Sequence, residues 1–188
     1  MPIIRPCLIL FACLAVLCGV VYPLTITVVA QVAFPDQAGG SLLRDGERVA
    51  GSRLIAQPCS DPGLFWPRPS AVGWNAAGSG GTNLAPVTPP QRDAWQAQVS
   101  TLRAAGIGGT LPADLITASG SGLDPHLSPA GIQAQIPRVA AARGLPIDAV
   151  QGLADRLTEP PLWGVVGAAR VNVLELNRAL LTMTSGGR

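Results

Sequence analysis

Lysine is absent from this chain of 188 residues, and all 13 basic side chains are arginine. That absence excludes Schiff-base catalysis and a phosphate-binding loop of the Walker type, both of which need an ε-amino group. Histidine occurs once, at His126. Three of the 4 cysteines, Cys7, Cys13 and Cys18, fall in an apolar N-terminal run, where they act as small hydrophobes. Only Cys59 lies in the polar remainder, so a disulfide within that region is excluded, and a zinc site of His and Cys ligands is not expected there. Net charge is +2, with 11 acidic residues against the arginines, which gives no electrostatic footprint for nucleic acid.

Charge is also missing from Pro6 to Pro35. A helix needs about 20 apolar residues to cross the hydrocarbon of a bilayer, whereas the apolar part of a cleavable signal is about 7–15. The run from Cys7 to Ala33 exceeds both limits and is predicted to be a retained transmembrane helix, residues 6–34. A cleaved signal is the alternative, since Val28-Val29-Ala30 has the small-residue spacing a peptidase accepts. Arg5 and the amino terminus are the positive charges before the span, so residues 1–5 are expected in the cytoplasm and the rest outside. Ala12, Ala15 and Gly19 follow helical spacing and form a small-residue face on which another membrane helix packs closely. Pro23 is expected to kink the span, with Thr25 and Thr27 placed to bond freed carbonyls.

Beyond the span, residues 35–45 read as a linker and 46–188 as one extracytoplasmic domain of α+β (mixed α/β) class. Val49 to Ile55 reads as a strand. Pro58 to Pro90 is rich in Gly, Pro, Ser and Asn without helical period, and reads as a long functional loop pinned by Phe65, Trp66 and Trp74. Trp95, Val99 and Leu102 predict a helix from Pro90 to Ala105. Leu111 to Thr117 is expected to be extended. Ser128-Pro129 is an N-cap signal for a helix running to Arg143, kinked at Pro137 and stopped at Gly144. Ile147, Val150, Leu153 and Leu157 mark the apolar face of a helix from Pro146 to Leu157. Trp163 to Val171 reads as a strand, and Asn172 to Leu181 as a closing helix.

Two clusters have chemical possibilities. Gly78 to Asn83 offers backbone N–H groups to an anion but lacks the lysine and the following helix of a nucleotide loop, so a tight turn is the simpler reading. Ser119, Ser121, Asp124 and His126 contain the residue types of a hydrolase triad, and a membrane-anchored serine hydrolase using Ser121, His126 and Asp124 is the alternative function. Neither serine sits in G-x-S-x-G, and Asp124-Pro125 reads equally as a turn. Arg68, Arg138 and Arg170 sit among apolar or small residues. There a guanidinium fork is expected to cross-link loops through carboxylates or carbonyls.

In order along the chain stand Gly51-Ser52 with Leu54-Ile55, Arg68-Pro69-Ser70-Ala71, Ser79 to Leu84, Thr117 to His126, and Arg170-Val171-Asn172-Val173-Leu174. With the N-terminal span, this pattern resembles the C subunit of the bacterial Kdp potassium-transporting P-type ATPase over essentially the whole chain. Cys59, Trp74, Thr82 and Ala85 depart from the usual family residues without removing a charge. The resemblance implies a non-catalytic accessory subunit of the inner membrane. Its implied partners are a potassium-selective channel-like subunit, an ATP-hydrolysing P-type subunit and membrane lipid. ATP and potassium would be handled by the complex, with no cofactor bound by this chain. The resemblance also implies a role in assembly and a chaperone-like effect on ATP affinity. It places Arg68, Ser70, Asn75, Ser79, Gly80, Gly81, Thr82, Asn83, Ser119, Ser121, Asp124, His126, Gln135, Arg138, Arg170 and Asn172 in the family's motif loops.

Overall fold

The computed structural model describes residues 3–185. Residues 1 and 2 of the expected cytoplasmic stretch, and 186–188 of the expected domain, lie outside the described residues. The chain forms two compact units, Met1–Ser52 and Arg53–Arg188.

The first unit begins with α1 (Ile4–Val16), a π turn (Leu17–Val21) and α2 (Tyr22–Ala33), which together make one helical run of 30 residues. At about 1.5 Å per residue it is long enough to cross about 30 Å of hydrocarbon. None of its side chains is buried, so its apolar surface is left to its surroundings. Proline at position 23 has no N–H to give and its ring crowds the preceding turn, and the backbone widens into the π turn just before it. Thr25 and Thr27 donate their hydroxyls to the carbonyls of Val21 and Pro23, each four residues back in the ordinary helical ladder.

The expected linker is ordered secondary structure. A single helical turn, α3 (Pro35–Ala38), leads into an antiparallel hairpin of β1 (Leu42–Asp45) and β2 (Arg48–Ser52). The predicted strand at Val49–Ile55 therefore ends at Ser52. Its short edges are largely exposed, so no alternation of burial marks them in the sequence.

In the second unit the chain runs without helix or strand from Arg53 until α4 (Pro89–Ala104), as the composition predicts from Pro58 onward. Leu111 to Thr117 is not extended throughout: Ala113–Ile116 makes one helical turn, α5, too short to carry a periodic signal. A three-stranded sheet of β3 (His126–Leu127), β5 (Arg170–Asn172) and β4 (Thr158–Glu159) has β5 in the middle, pairing antiparallel with both neighbours. Ser128 caps the next helix by accepting the N–H of Gly131. That helix is two, α6 (Pro129–Gln133) and α7 (Ile136–Arg143), broken ahead of Pro137, and Gly144 ends α7 in the left-handed region. α8 (Ile147–Arg156) buries Val150, Leu153 and Ala154 while Ile147 stays exposed. α9 (Val173–Ser185) closes the chain.

The predicted strand from Trp163 to Val171 is corrected to β5 alone. Residues 163–169 form a turn whose apolar side chains face outward, with Gly164 and Gly167 at positive φ. The core gathers Phe65 from the irregular segment, Leu102 from α4, Val139 from α7, Val150 from α8, Val171 from β5 and Leu176 and Leu180 from α9. Burying such side chains is worth about 1.5–3 kcal/mol each, so Phe65 pins its loop as the sequence predicts.

Candidate functional site

Polar groups inside an apolar core must find partners, and the core helices use theirs to hold the irregular segment. Gln135, fully buried, accepts the N–H of Trp66 and donates to the carbonyls of Trp66 and Gly131. Arg138 donates to the carbonyls of Pro62 and Leu64 and to Gln135 Oε1, and its guanidinium lies 4.4 Å from the Trp66 ring centroid. Burial lowers the Arg138 pKa, opposed by the Cys59 thiolate, once that thiol ionises, and by the Asp61 carboxylate. The Trp66 indole donates to the Asp61 carbonyl. Burial likewise pushes the Cys59 thiol up, making it a poor nucleophile at neutral pH.

The next stretch of the segment is held by close backbone approach. Ser70 Oγ donates to the Gly122 carbonyl at 2.6 Å and accepts the N–H groups of Val72 and Trp74. Asn75 closes the following turn by accepting the N–H of Ala77. The Ser79 hydroxyl and the Gly80 N–H both donate to the Ser121 carbonyl. Gly122, at φ +68°, leaves no space for a side chain: a Cβ there would lie 2.8 Å from the Gly80 carbonyl oxygen and 2.6 Å from Val72. At Gly81 it would meet the Gly120 carbonyl oxygen at 3.1 Å. Thr82 Oγ1 accepts from Leu84, and Asn83, at φ +53°, donates to the Gly81 carbonyl, so the outer turn is internally bonded and its side chains are exposed.

Arg68 joins the two loops with a charge-assisted bond to Asp124 Oδ2 at 2.9 Å. Burial raises the Asp124 pKa, but bonds from the His126 ring and N–H and from Arg68 outweigh it and bring the carboxyl down to about 2. His126 Nδ1 is 3.5 Å from Asp124 Oδ1, while the Ser121 hydroxyl accepts the N–H of Leu123. Asp124 and His126 are thus adjacent, but the bonds of Ser121 run to the loops. Buried Ser119 donates its N–H to the Pro69 carbonyl, and its hydroxyl sits 3.5 Å from the Asp124 nitrogen.

His126 pairs with Asn172 across the sheet. Asn172 Oδ1 caps α9 by accepting from Leu174 and Glu175, and its amide donates to the Arg53 carbonyl. Arg170 differs from the other two arginines: it is exposed and its side chain pairs with Glu159 at 2.9 Å. The blocks at Arg68–Ala71, Ser79–Leu84, Thr117–His126 and Arg170–Leu174 are therefore drawn together, bordered by an open cleft of about 580 Å³ lined by Arg68, Asp114, Asp124, His126, Ser128 and Arg170. No group of three or more metal-ligating side chains occurs among the described residues. Ala12, Ala15 and Gly19 lie exposed on the N-terminal helix, with open space around the Gly19 Cα.

Sequence reasoning misses Asn177 and Asp114. Asn177 brackets Phe65, accepting its N–H and donating to its carbonyl. It occupies an interior position of α9 beside Leu176 and Leu180, and a polar residue at an apolar-face position was its signal. Asp114 accepts the Ser128 N–H and packs against Gly131, a pairing across 14 residues that no local pattern shows.

The family model for the c chain of the K+-transporting ATPase, KdpC, matches residues 4–182. Similar chains include the potassium-transporting ATPase KdpC subunit of Polaromonas naphthalenivorans, 53% identical over 184 residues, covering 95% of this chain and 93% of the relative. That of Variovorax paradoxus is 50% identical, covering 95% of each chain. That of Geobacter sulfurreducens is 47% identical, covering 96% of this chain and 97% of the relative.

Proposed function

Because the chain belongs to the KdpC family, the C subunits of K+-transporting ATPases, we propose that it is a non-catalytic accessory subunit that braces its partners. In this reading it is a single-pass inner-membrane protein with a cytoplasmic N-terminus and an extracytoplasmic domain. The Ala12, Ala15 and Gly19 face packs against the helices of the potassium-selective, channel-like subunit, and the domain covers that subunit's outer mouth. ATP hydrolysis resides in the P-type subunit. Any rise in ATP affinity is then indirect, through differential binding of this subunit to one conformation of the pump.

The observation that carries the reading is how the cluster spends its hydrogen bonds. Arg68, Ser70, Ser121 and Asp124 bond one another's loops, which makes a fixed outer surface at Gly78–Asn83 rather than an activated nucleophile. Recovery of the tagged chain from native membranes tests it. A polytopic subunit and an ATP-hydrolysing subunit are expected to co-purify, with recovery falling in Ala15→Leu and Gly19→Leu. Recovery without partners would overturn the accessory role, and intact complexes in both variants would remove the small-residue face as the contact.

A further inference from the structure

Between β4 and β5 the domain carries an apolar tip whose side chains are largely exposed. Leu162 and Val166 face each other across a narrow bridge, with Trp163 and Val165 at the apex. Trp163 is 84% exposed and Val165 82%. No charged side chain occurs from Pro160 to Ala169, and the Arg170–Glu159 ion pair closes the base. Trp163 has φ +53°, an uncommon conformation for a bulky side chain and one that costs free energy to hold.

We infer that this tip is a lipid-contacting element, seating in the interfacial layer of the bilayer that the N-terminal helix crosses. Three observations favour lipid. First, the tip satisfies part of its own backbone, which lowers the cost of entering a water-poor layer. Leu162 donates to the Val166 carbonyl, Val165 and Val166 to the Leu162 carbonyl, and Gly164 to the Pro161 carbonyl, while Pro160 and Pro161 have no N–H to satisfy. Second, the side chains are aliphatic with one tryptophan, the residue whose amphipathic ring settles at the headgroup level. Third, about twenty residues join Ala33 to Arg53, which holds the domain within about 70 Å of the bilayer even at full extension. A tether that short raises the effective concentration of membrane enough for a small, weak contact to be occupied.

The inference rests on Ile4–Ala33 being a membrane span, but not on which side the domain lies. The test uses the full chain reconstituted in vesicles of phosphatidylcholine and phosphatidylglycerol, with and without bromine on the acyl chains. Brominated lipid is expected to quench part of the wild-type tryptophan emission, and Trp163→Tyr is expected to lose that part. Equal quenching in the two proteins, or none in the wild type, would overturn the inference. So would protection of Trp163 that appears only when partner subunits are present, which would assign the tip to a protein contact. Alkaline carbonate extraction separates the two layers of the argument. A retained chain without Trp163 quenching removes the tip contact alone, whereas an extracted chain removes the span and the tip contact with it.

Discussion

The irregular segment is held differently along its two halves. Asp61 to Trp66 is gripped by long polar side chains reaching out of the helical core, whereas Arg68 to Asn83 lies close against the turn at Ser119–Asp124, bonded through its own Arg68, Ser70 and Ser79 side chains and its backbone. The first half depends on side chains sent out from the core helices; the second depends on its own short donors and on where side chains are missing. The same loop thus has a buried anchor that fixes its position and a glycine-lined contact that fixes its outward shape.

The largest effect is expected where the anchor is cut. Arg138→Ala would leave the carbonyls of Pro62 and Leu64 without their donor and take one of two donors from Gln135 Oε1, and is expected to cost about 3 kcal/mol or more, read as a lower guanidinium midpoint. Arg138→Lys keeps the charge but not the fork, and should recover only part of the loss. In the other half, adding single methyl groups sharpens the contrast. Gly122→Ala combines positive φ with two collisions and is expected to cost about 2–4 kcal/mol. Gly81→Ala should cost less, meeting one carbonyl at 3.1 Å, and Gly120→Ala should be close to neutral, with nothing near. Equal effects at the three positions would break the close-approach account.

The joint between the segment and the turn at Ser119–Asp124 is titratable. Asp124 has its folded pKa depressed to about 2 from 3.8, so its contribution is present above about pH 4 and is lost as pH falls toward 2. Its side chain is 31% exposed, and solvent screening reduces the effect to about 1 kcal/mol. Asp124→Asn is expected to remove that part of the acid limb in a pH series of unfolding midpoints. Smallest of all, Arg170→Ala breaks an exposed pair and should change stability by less than about 0.5 kcal/mol.

Legibility in the sequence followed the range of the interactions. Helices α4, α8 and α9 and the Ser128 cap are written in local periodicity and neighbouring residue types. That Arg68 and Arg138 needed partners could also be read locally. Which partners could not, because Asp124 lies 56 residues from Arg68 and Pro62 lies 76 from Arg138. Strands of two or three residues, such as β3, β4 and β5, are too short to alternate. The apolar run after Pro161 imitates a buried strand in composition, but prolines before it and glycines at positive φ within it turn it out to solvent. Strand β1 was hidden for the opposite reason, since its largely exposed residues fall in a stretch that reads as a connector.

Side-specific proteolysis of the Gly78–Asn83 turn tests the bracing role most directly, because that turn is exposed and carries the outer surface of the cluster. Protease added to sealed spheroplasts is expected to cut the turn from outside. A turn protected in spheroplasts and cut only in inverted vesicles would place the domain in the cytoplasm. That result would contradict a brace on the outer mouth of the channel-like subunit.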